Sequence, residues 1–240
     1  MPRLTTVGWG PDQFRVGPWN ADAAVAYLAL APQVLKPTVD GVRRILEQLA
    51  ADGYRSVTTA ALRPPELGPF LQAGFTERER LTILHHDLQS IPSLDGIGET
   101  HHGVALRRAG RRDRQAVLAV DEAAFSPSWR LDDAGLSDAL AATPRSRFRV
   151  AAGHEVCGYA ICGRAAEVGY LQRLAVAPQA QGHGVGTRLV VDALGWLHRR
   201  GARSALVNTQ DGNARALGLY ERMGFRPEAY DLIVLERAIP

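Results

Sequence analysis

Lysine is nearly absent from this chain: of 28 lysines and arginines in 240 residues, only Lys36 is a lysine. The positive charge is therefore arginine charge, and against 25 acidic residues it leaves a net of only +3. Such a mild excess does not call for nucleic acid and suits a small polyanionic ligand. Cysteine is scarce as well. Cys157 and Cys162 lie five apart in what reads as one strand, where an odd separation points them to opposite faces and argues against a disulfide. No run approaches the roughly 18 apolar residues of a membrane span, so no membrane partner is expected. The opening Met1-Pro2-Arg3-Leu4-Thr5 has no apolar leader behind its charge, and the expected location is the cytoplasm. Metal-ligand clusters are lacking too. His85-His86 and His101-His102 are adjacent pairs that an extended chain points apart, with no cysteine or carboxylate group beside them, so no metal is expected.

What is present is a globular composition, 46% hydrophobic and 22% charged, with ample material for a core. The second half is the more legible. The segment 104–107 reads as a strand, 113–125 as a helix with Asp113 at its start, and a second helix begins near Asp133 and stops before Pro144. Between strand and helix, Arg107, Arg108, Arg111, Arg112 and Arg114 read as a solvated connection. Strands around 148–151 and 156–161 form a hairpin, and the apolar stretch 168–176 reads as central. Val185, Leu189, Val190, Ala193, Leu194 and Leu197 then mark one face of a long helix ending before Gly201. A strand at 205–209, a short helix from Asn213 to Gly224 and a last strand at 230–235 complete the pattern.

The first half repeats the end of this plan. Leu28-Ala29-Leu30-Ala31-Pro32-Gln33 echoes Leu174-Ala175-Val176-Ala177-Pro178-Gln179, and Phe70-Leu71-Gln72-Ala73-Gly74-Phe75 echoes Tyr220-Glu221-Arg222-Met223-Gly224-Phe225. One element is missing. Where the second copy has a glycine loop, the first has Val34-Leu35-Lys36-Pro37-Thr38. The expected division is a degenerate domain over 1–95 without a phosphate loop and a catalytic domain over 100–240.

The glycine loop Gln181-Gly182-His183-Gly184-Val185-Gly186 stands between a buried strand and a long helix, where bare backbone N–H groups and the helix N-terminus favour an anion. A dinucleotide fingerprint fails, because Thr187 stands where a third glycine is needed, and no Gly-Lys-Ser/Thr follows for a nucleotide-triphosphate loop. The pattern that fits is Gln/Arg-x-x-Gly-x-Gly/Ala. With Gln172-Arg173-Leu174-Ala175-Val176 before it, and Asn213 and Leu219 to Phe225 after it, residues 104–240 resemble the GNAT superfamily of N-acetyltransferases. The resemblance is closest to the ribosomal-protein alanine acetyltransferase-like branch, and the tandem layout is similar to mycothiol synthase. It implies an α/β fold: a mixed, twisted sheet with helices on both faces, complete in the second half and truncated in the first.

The same resemblance implies direct attack of an amine on acetyl-CoA, the one expected cofactor. It places the pyrophosphate on 181–187 (Gln181, Gly182, His183, Gly184, Val185, Gly186 and Thr187), with the pantetheine arm along Leu174, Ala175 and Val176 and touching Asn213. Tyr220 is the implied catalytic group, protonating or hydrogen-bonding the leaving thiolate. For the acceptor, Phe125, Trp129, Tyr170, Gln172 and Asn208 are candidates. A glutamate expected before Asn213 is missing, with Asn208 in its place; Asp121, Glu122 and Glu167 are alternative bases that spacing does not separate. A site without a strong base favours α-amines, about 10% neutral at pH 7, over lysine amines at about 0.1% or less. The expected acceptor is a peptide or protein N-terminus, then a small metabolite amine, the alternative being a non-catalytic acyl-CoA-binding module. The first half is a candidate homodimer surface.

Overall fold

The computed structural model describes residues 4–19, 22–93 and 103–239, so His101, His102 and the expected junction between 95 and 100 lie outside the described residues. The first half runs β1 (Thr5–Trp9), β2 (Asp12–Trp19), β3 (Asp22–Leu30), α1 (Val39–Ala51), β4 (Ser56–Thr59), α2 (Pro64–Gln72) and β5 (Thr76–His86). The second runs β6 (Ala105–Arg108), α3 (Arg114–Ala124), α4 (Asp133–Ala141), β7 (Arg145–Ala152), β8 (Val156–Ala165), β9 (Val168–Val176), α5 (Val185–Arg199), β10 (Ser204–Gln210), α6 (Ala214–Arg222), β11 (Arg226–Pro227) and β12 (Leu232–Ala238). Two compact units result: Met1–Ile83 with Thr209–Gly212 and Glu228–Pro240, and Leu84–Asn208 with Asn213–Pro227. A single cut between residues 95 and 100 leaves the last strand in the second domain. Its pairing, Ala238 opposite Ser56 and Leu232 opposite Leu81, puts it in the first unit.

In that first unit, β1, β2 and β3 form an antiparallel meander, α1 crosses over to β4 parallel to β3, and β12 lies between β4 and β5. Val42, Ile45, Leu46 and Leu49 give α1 its buried stripe against Phe14, Val57, Phe70 and Leu235. The start of α1 is fully occupied by protein. Thr38 Oγ1 accepts from Gly41 N–H at 2.9 Å, while the Asp12 carboxylate takes the Thr38 N–H at 2.7 Å and its hydroxyl at 2.6 Å. A Cβ on Gly41 would stand 2.3 Å from that carboxylate, so the glycine makes room for it. β3 and β4 stay paired along all of β4, 25–28 against 56–59.

The second unit matches the expected plan. β6, β7, β8 and β9 are antiparallel neighbours, and β10 joins β9 in parallel. α5 and α6 cover one face through Leu189, Leu194, Leu197 and Tyr220; α3 and α4 cover the other through Val117, Val120 and Leu136 on Val150, Tyr159 and Ile161. The architecture is thus mixed α/β with helices on both faces of this sheet. Two bulges break the alternation. Gln172 is the extra residue between Leu171 (opposite Cys162) and Arg173 (opposite Ile161). Cys157 is the extra residue between Val156 and Gly158, which turns it to the same apolar cluster as Cys162 and corrects the opposite-face expectation. Both thiols are free, and burial pushes that of Cys162 up to about 12. His86, at the end of β5, is 2% exposed, with Nδ1 accepting from Leu88 N–H at 2.9 Å and its ring edge-on to Phe225.

Candidate active site

The site begins where β9 and β10 part. They pair only at 168–170 with 204–206, and β9 then continues alone on that side to Val176. The amides that face the opening follow from the register on the other edge. Ala177 N–H donates to Cys157 O at 2.8 Å, and antiparallel bonding alternates, so the peptide groups of Val176 and Leu174 point away from β8. Gln181 Nε2, donating to Val176 O at 2.9 Å, lies on that side. It occupies the carbonyl and leaves the Val176 N–H directed into the opening.

Beyond β9 the chain turns through 181–184. Gly182 and Gly184 have φ of +81° and +74°, conformations in which a side chain is strained. Gly184 caps α5 without a side-chain hydrogen bond, and no acidic residue stands in its first turn, so the orphan N–H groups of a 15-residue helix carry uncompensated positive potential. A Cβ on Gly186 would lie 3.2 Å from Leu219 Cδ2 and 3.7 Å from Val176 Cγ2, so the glycine keeps a slot open. These elements line a cavity of about 700 Å³, together with Ala124, Phe125, Pro178, Thr187, Asn213, Ala216, Tyr220 and the arginines Arg215 and Arg222. Donor N–H groups at one end, strand amides along one side and two guanidinium groups fit a long ligand that carries phosphates and amides, as acetyl-CoA does.

Of the residues expected to hold acetyl-CoA, Leu174, Ala175, Val176, Gln181, Gly182, Gly184, Gly186, Thr187, Asn213 and Tyr220 line this cavity. His183 is exposed, and Val185 is buried in the core beneath the loop. Asn213 caps α6, accepting from Ala216 N–H at 3.1 Å. Tyr220 is 5% exposed, and burial raises its phenol well above the ordinary range. Of the acceptor candidates only Phe125 reaches the cavity; Trp129, Tyr170, Gln172 and Asn208 do not line it. Gln172 Oε1 is buried in the bulge without a hydrogen-bond partner, and Asn208 is exposed. Arg215, Arg222 and Leu219 were missed. The i, i+3, i+4 spacing of Ala216, Leu219 and Tyr220 on α6 is the signal that finds Leu219, whereas the arginines carry no local pattern.

The three alternative carboxylates lie elsewhere. Asp121 is wholly buried and bound on both oxygens by Arg173, by the Tyr159 hydroxyl and by Leu131 N–H. Glu122 pairs with Arg130 at 3.3 Å, and Glu167 pairs with Arg203 in the β8–β9 turn, at the far end of β9 from Val176. No Asp or Glu lines the cavity among the described residues. Among the same residues, no three His, Cys, Asp or Glu side chains gather, and no helix is long and apolar enough to cross a membrane.

Comparison with known proteins adds to this geometry. Residues 114–225 match the model of the acetyltransferase (GNAT) family. A mycothiol acetyltransferase of Rhodococcus opacus (strain B4) is 29% identical over 223 residues, which cover 84% of this chain and 71% of the relative. Another, from Amycolatopsis mediterranei (strain U-32), is 29% identical over 205 residues, 78% of this chain and 66% of the relative. The chain thus spans about two thirds of the length of these curated relatives. Among solved structures, a tandem GNAT protein from the clavulanic acid biosynthesis pathway has a TM-score of 0.69 at 15% identity, over 95% of this chain and 79% of that one. That likeness concerns the fold.

Proposed function

We propose that this chain, whose residues 114–225 match the acetyltransferase (GNAT) family, is an acetyl-CoA-dependent N-acetyltransferase whose acceptor is a low-pKa α-amine on a small metabolite. The observation that carries the acceptor class is the lining of the cleft, which holds Arg215 and Arg222 but no carboxylate among the described residues. An amine there must be drawn from its own neutral fraction, about 10% at pH 7 for an α-amine with pKa near 8 and about 0.1% or less for a lysine side chain near 10.4. The relatives named as mycothiol acetyltransferases move the preference from a peptide N-terminus to a metabolite that carries the same kind of amine.

In this reading acetyl-CoA supplies an activated acyl thioester, and the chain's own groups do the rest. The uncapped start of α5 and the loop 181–187 hold the pyrophosphate, with Arg215 and Arg222 beside it. The Leu174 amide directs the pantetheine arm along β9, and the Val176 N–H is placed to stabilise negative charge on the thioester oxygen. Tyr220 stays protonated and donates a hydrogen bond to the departing sulfur; with its phenol raised by burial, full proton transfer to a thiolate of ordinary pKa is uphill. Among the described residues the first unit supplies no second donor site. Its helix start is filled by Asp12, and its equivalent strands do not part.

Thermal denaturation with acetyl-CoA, and with NAD and ATP as controls, tests the donor assignment. A ligand present at 100 times its dissociation constant stabilises the fold by about 2.7 kcal/mol, a shift of several degrees. Free-thiol release with alaninamide and with an Nα-blocked lysine then tests the acceptor class. Faster turnover of the blocked lysine would overturn the α-amine assignment, and no thermal shift would overturn the donor site.

A further inference from the structure

The loop 125–131, between α3 and α4, is fastened at three points to one buried ion pair. Arg173 reaches from β9 into the apolar layer under α3, its side chain 13% exposed and that of Asp121 fully buried. Its Nε and Nη2 donate to the two Asp121 oxygens at 2.8 and 2.9 Å. The same guanidinium lies 3.5 Å over the Phe125 ring at the start of the loop, and Nη2 donates to Trp129 O at 2.6 Å in its middle. At the far end, Asp121 Oδ1 accepts from Leu131 N–H at 2.7 Å. The loop also closes on itself, Arg130 Nε donating to Phe125 O at 3.2 Å.

Burying two charges is expensive, and an apolar pair would join α3 to β9 at lower cost. What an apolar pair cannot do is satisfy the Trp129 carbonyl, the Leu131 amide and the Phe125 ring face together. A planar, always-charged fork can. The fastening is also placed where it affects chemistry. Phe125 and Ala124 line the cleft, and the residue after Arg173 is Leu174, whose peptide group faces the opening between β9 and β10.

We propose that Arg173, braced by Asp121, is a positioning residue for the acceptor: it holds the loop 125–131 so that Phe125 shapes the acceptor side of the cleft, and it takes no part in holding acetyl-CoA. The inference rests on the reading of the cleft given above. It predicts that acceptor binding and acetyl-CoA binding respond separately to changes at Arg173. It also predicts that the Arg130–Leu131 bond resists trypsin only while the ion pair is intact.

Three variants are compared with the parent: Arg173→Lys, which keeps the charge but loses the fork; Phe125→Leu, which removes the ring; and Leu136→Ala, a core truncation on the same face. The readouts are acetyl-CoA affinity by calorimetry, KM and kcat for alaninamide at saturating acetyl-CoA, melting temperature, and tryptic cleavage after Arg130. For Arg173→Lys the acceptor KM rises about tenfold while kcat and acetyl-CoA affinity stay within about threefold. Cleavage after Arg130 accelerates in the same variant. Phe125→Leu moves KM in the same direction by less, and Leu136→Ala lowers the melting temperature without moving KM. An unchanged KM in Arg173→Lys, an equal loss of acetyl-CoA affinity, or the same KM change in Leu136→Ala overturns the proposal. Should Arg173→Lys not fold, Phe125→Leu decides, and an unchanged KM there is a refutation. A parent protein that binds acetyl-CoA but leaves alaninamide untouched counts against the α-amine reading alone. Cleavage after Arg130 then decides the clamp, and equal rates in parent and Arg173→Lys overturn it.

Discussion

At the scale of the residue, burial sets what two side chains can do. Tyr220 is enclosed by the apolar cluster under α5 and α6, and its phenol is raised, so it remains a neutral donor throughout the working pH range. Tyr220→Phe is expected to lower kcat about 10²-fold with little change in acetyl-CoA affinity, read by free-thiol release and calorimetry. The parent's rate should climb with pH as the acceptor amine loses its proton, with no fall below pH 10 from ionisation of this phenol. His86 is the second case. Burial lowers its pKa, outweighing the attraction of Asp87 and a hydrogen bond to the Met223 backbone, while His85 adds to the lowering. The neutral ring accepts from Leu88, which an imidazolium cannot do. A folded-state pKa below the unfolded value near 6.5 means that stability is intact above that pH and declines as pH falls through it. Melting temperature followed from pH 7.5 to 5 should therefore drop more steeply in the parent than in His86→Gln; equal slopes would remove His86 as the cause.

At the scale of the element, the start of α5 separates a mere turn from a binding loop. Gly186→Ala adds a methyl group within 3.2 Å of Leu219 Cδ2, where a leucine end can shift, and a helical alanine is favoured over glycine by about 1 kcal/mol. The variant is expected to keep or raise its melting temperature while losing acetyl-CoA affinity about tenfold, roughly 1.4 kcal/mol. Unchanged affinity would make the glycine a packing detail. This loop, β9 and α5 were legible in the sequence because glycine clusters, apolar runs and helical periodicity are local signals. Asp12 was not. Its carboxylate acts on Thr38 and Gly41, 26 and more residues away, and nothing around it in sequence marks a cap. Trp129 and Asn208 were placed at the site by position on the chain, but a bulge at Gln172 and the loop geometry decide what reaches the cleft. Pattern gives a residue's element and seldom its partner across the fold.

At the scale of the whole molecule, the two units repeat one plan of elements but differ in electrostatic state. One has an uncapped helix start beside parted strands; the other has a helix start already neutralised by Asp12 and strands paired along the whole of β4. Titration calorimetry should give one acetyl-CoA per chain. A second equivalent with comparable affinity would refute the closed state of the first unit, and Asp12→Ala should lower stability by about 1–3 kcal/mol, checked by urea unfolding. The position of β12 carries a different consequence, one of timing. Residues 232–238 are made long after β4 and β5, yet they sit between those two strands, whose residues 56–86 leave the ribosome far earlier. During synthesis the earlier-made unit therefore waits with two strand edges unsealed while some 150 residues are added, about 7 to 30 seconds at ordinary elongation rates. A growing chain in that condition is one that holding chaperones should engage, and a stop codon just before Leu232 would leave that dependence permanent.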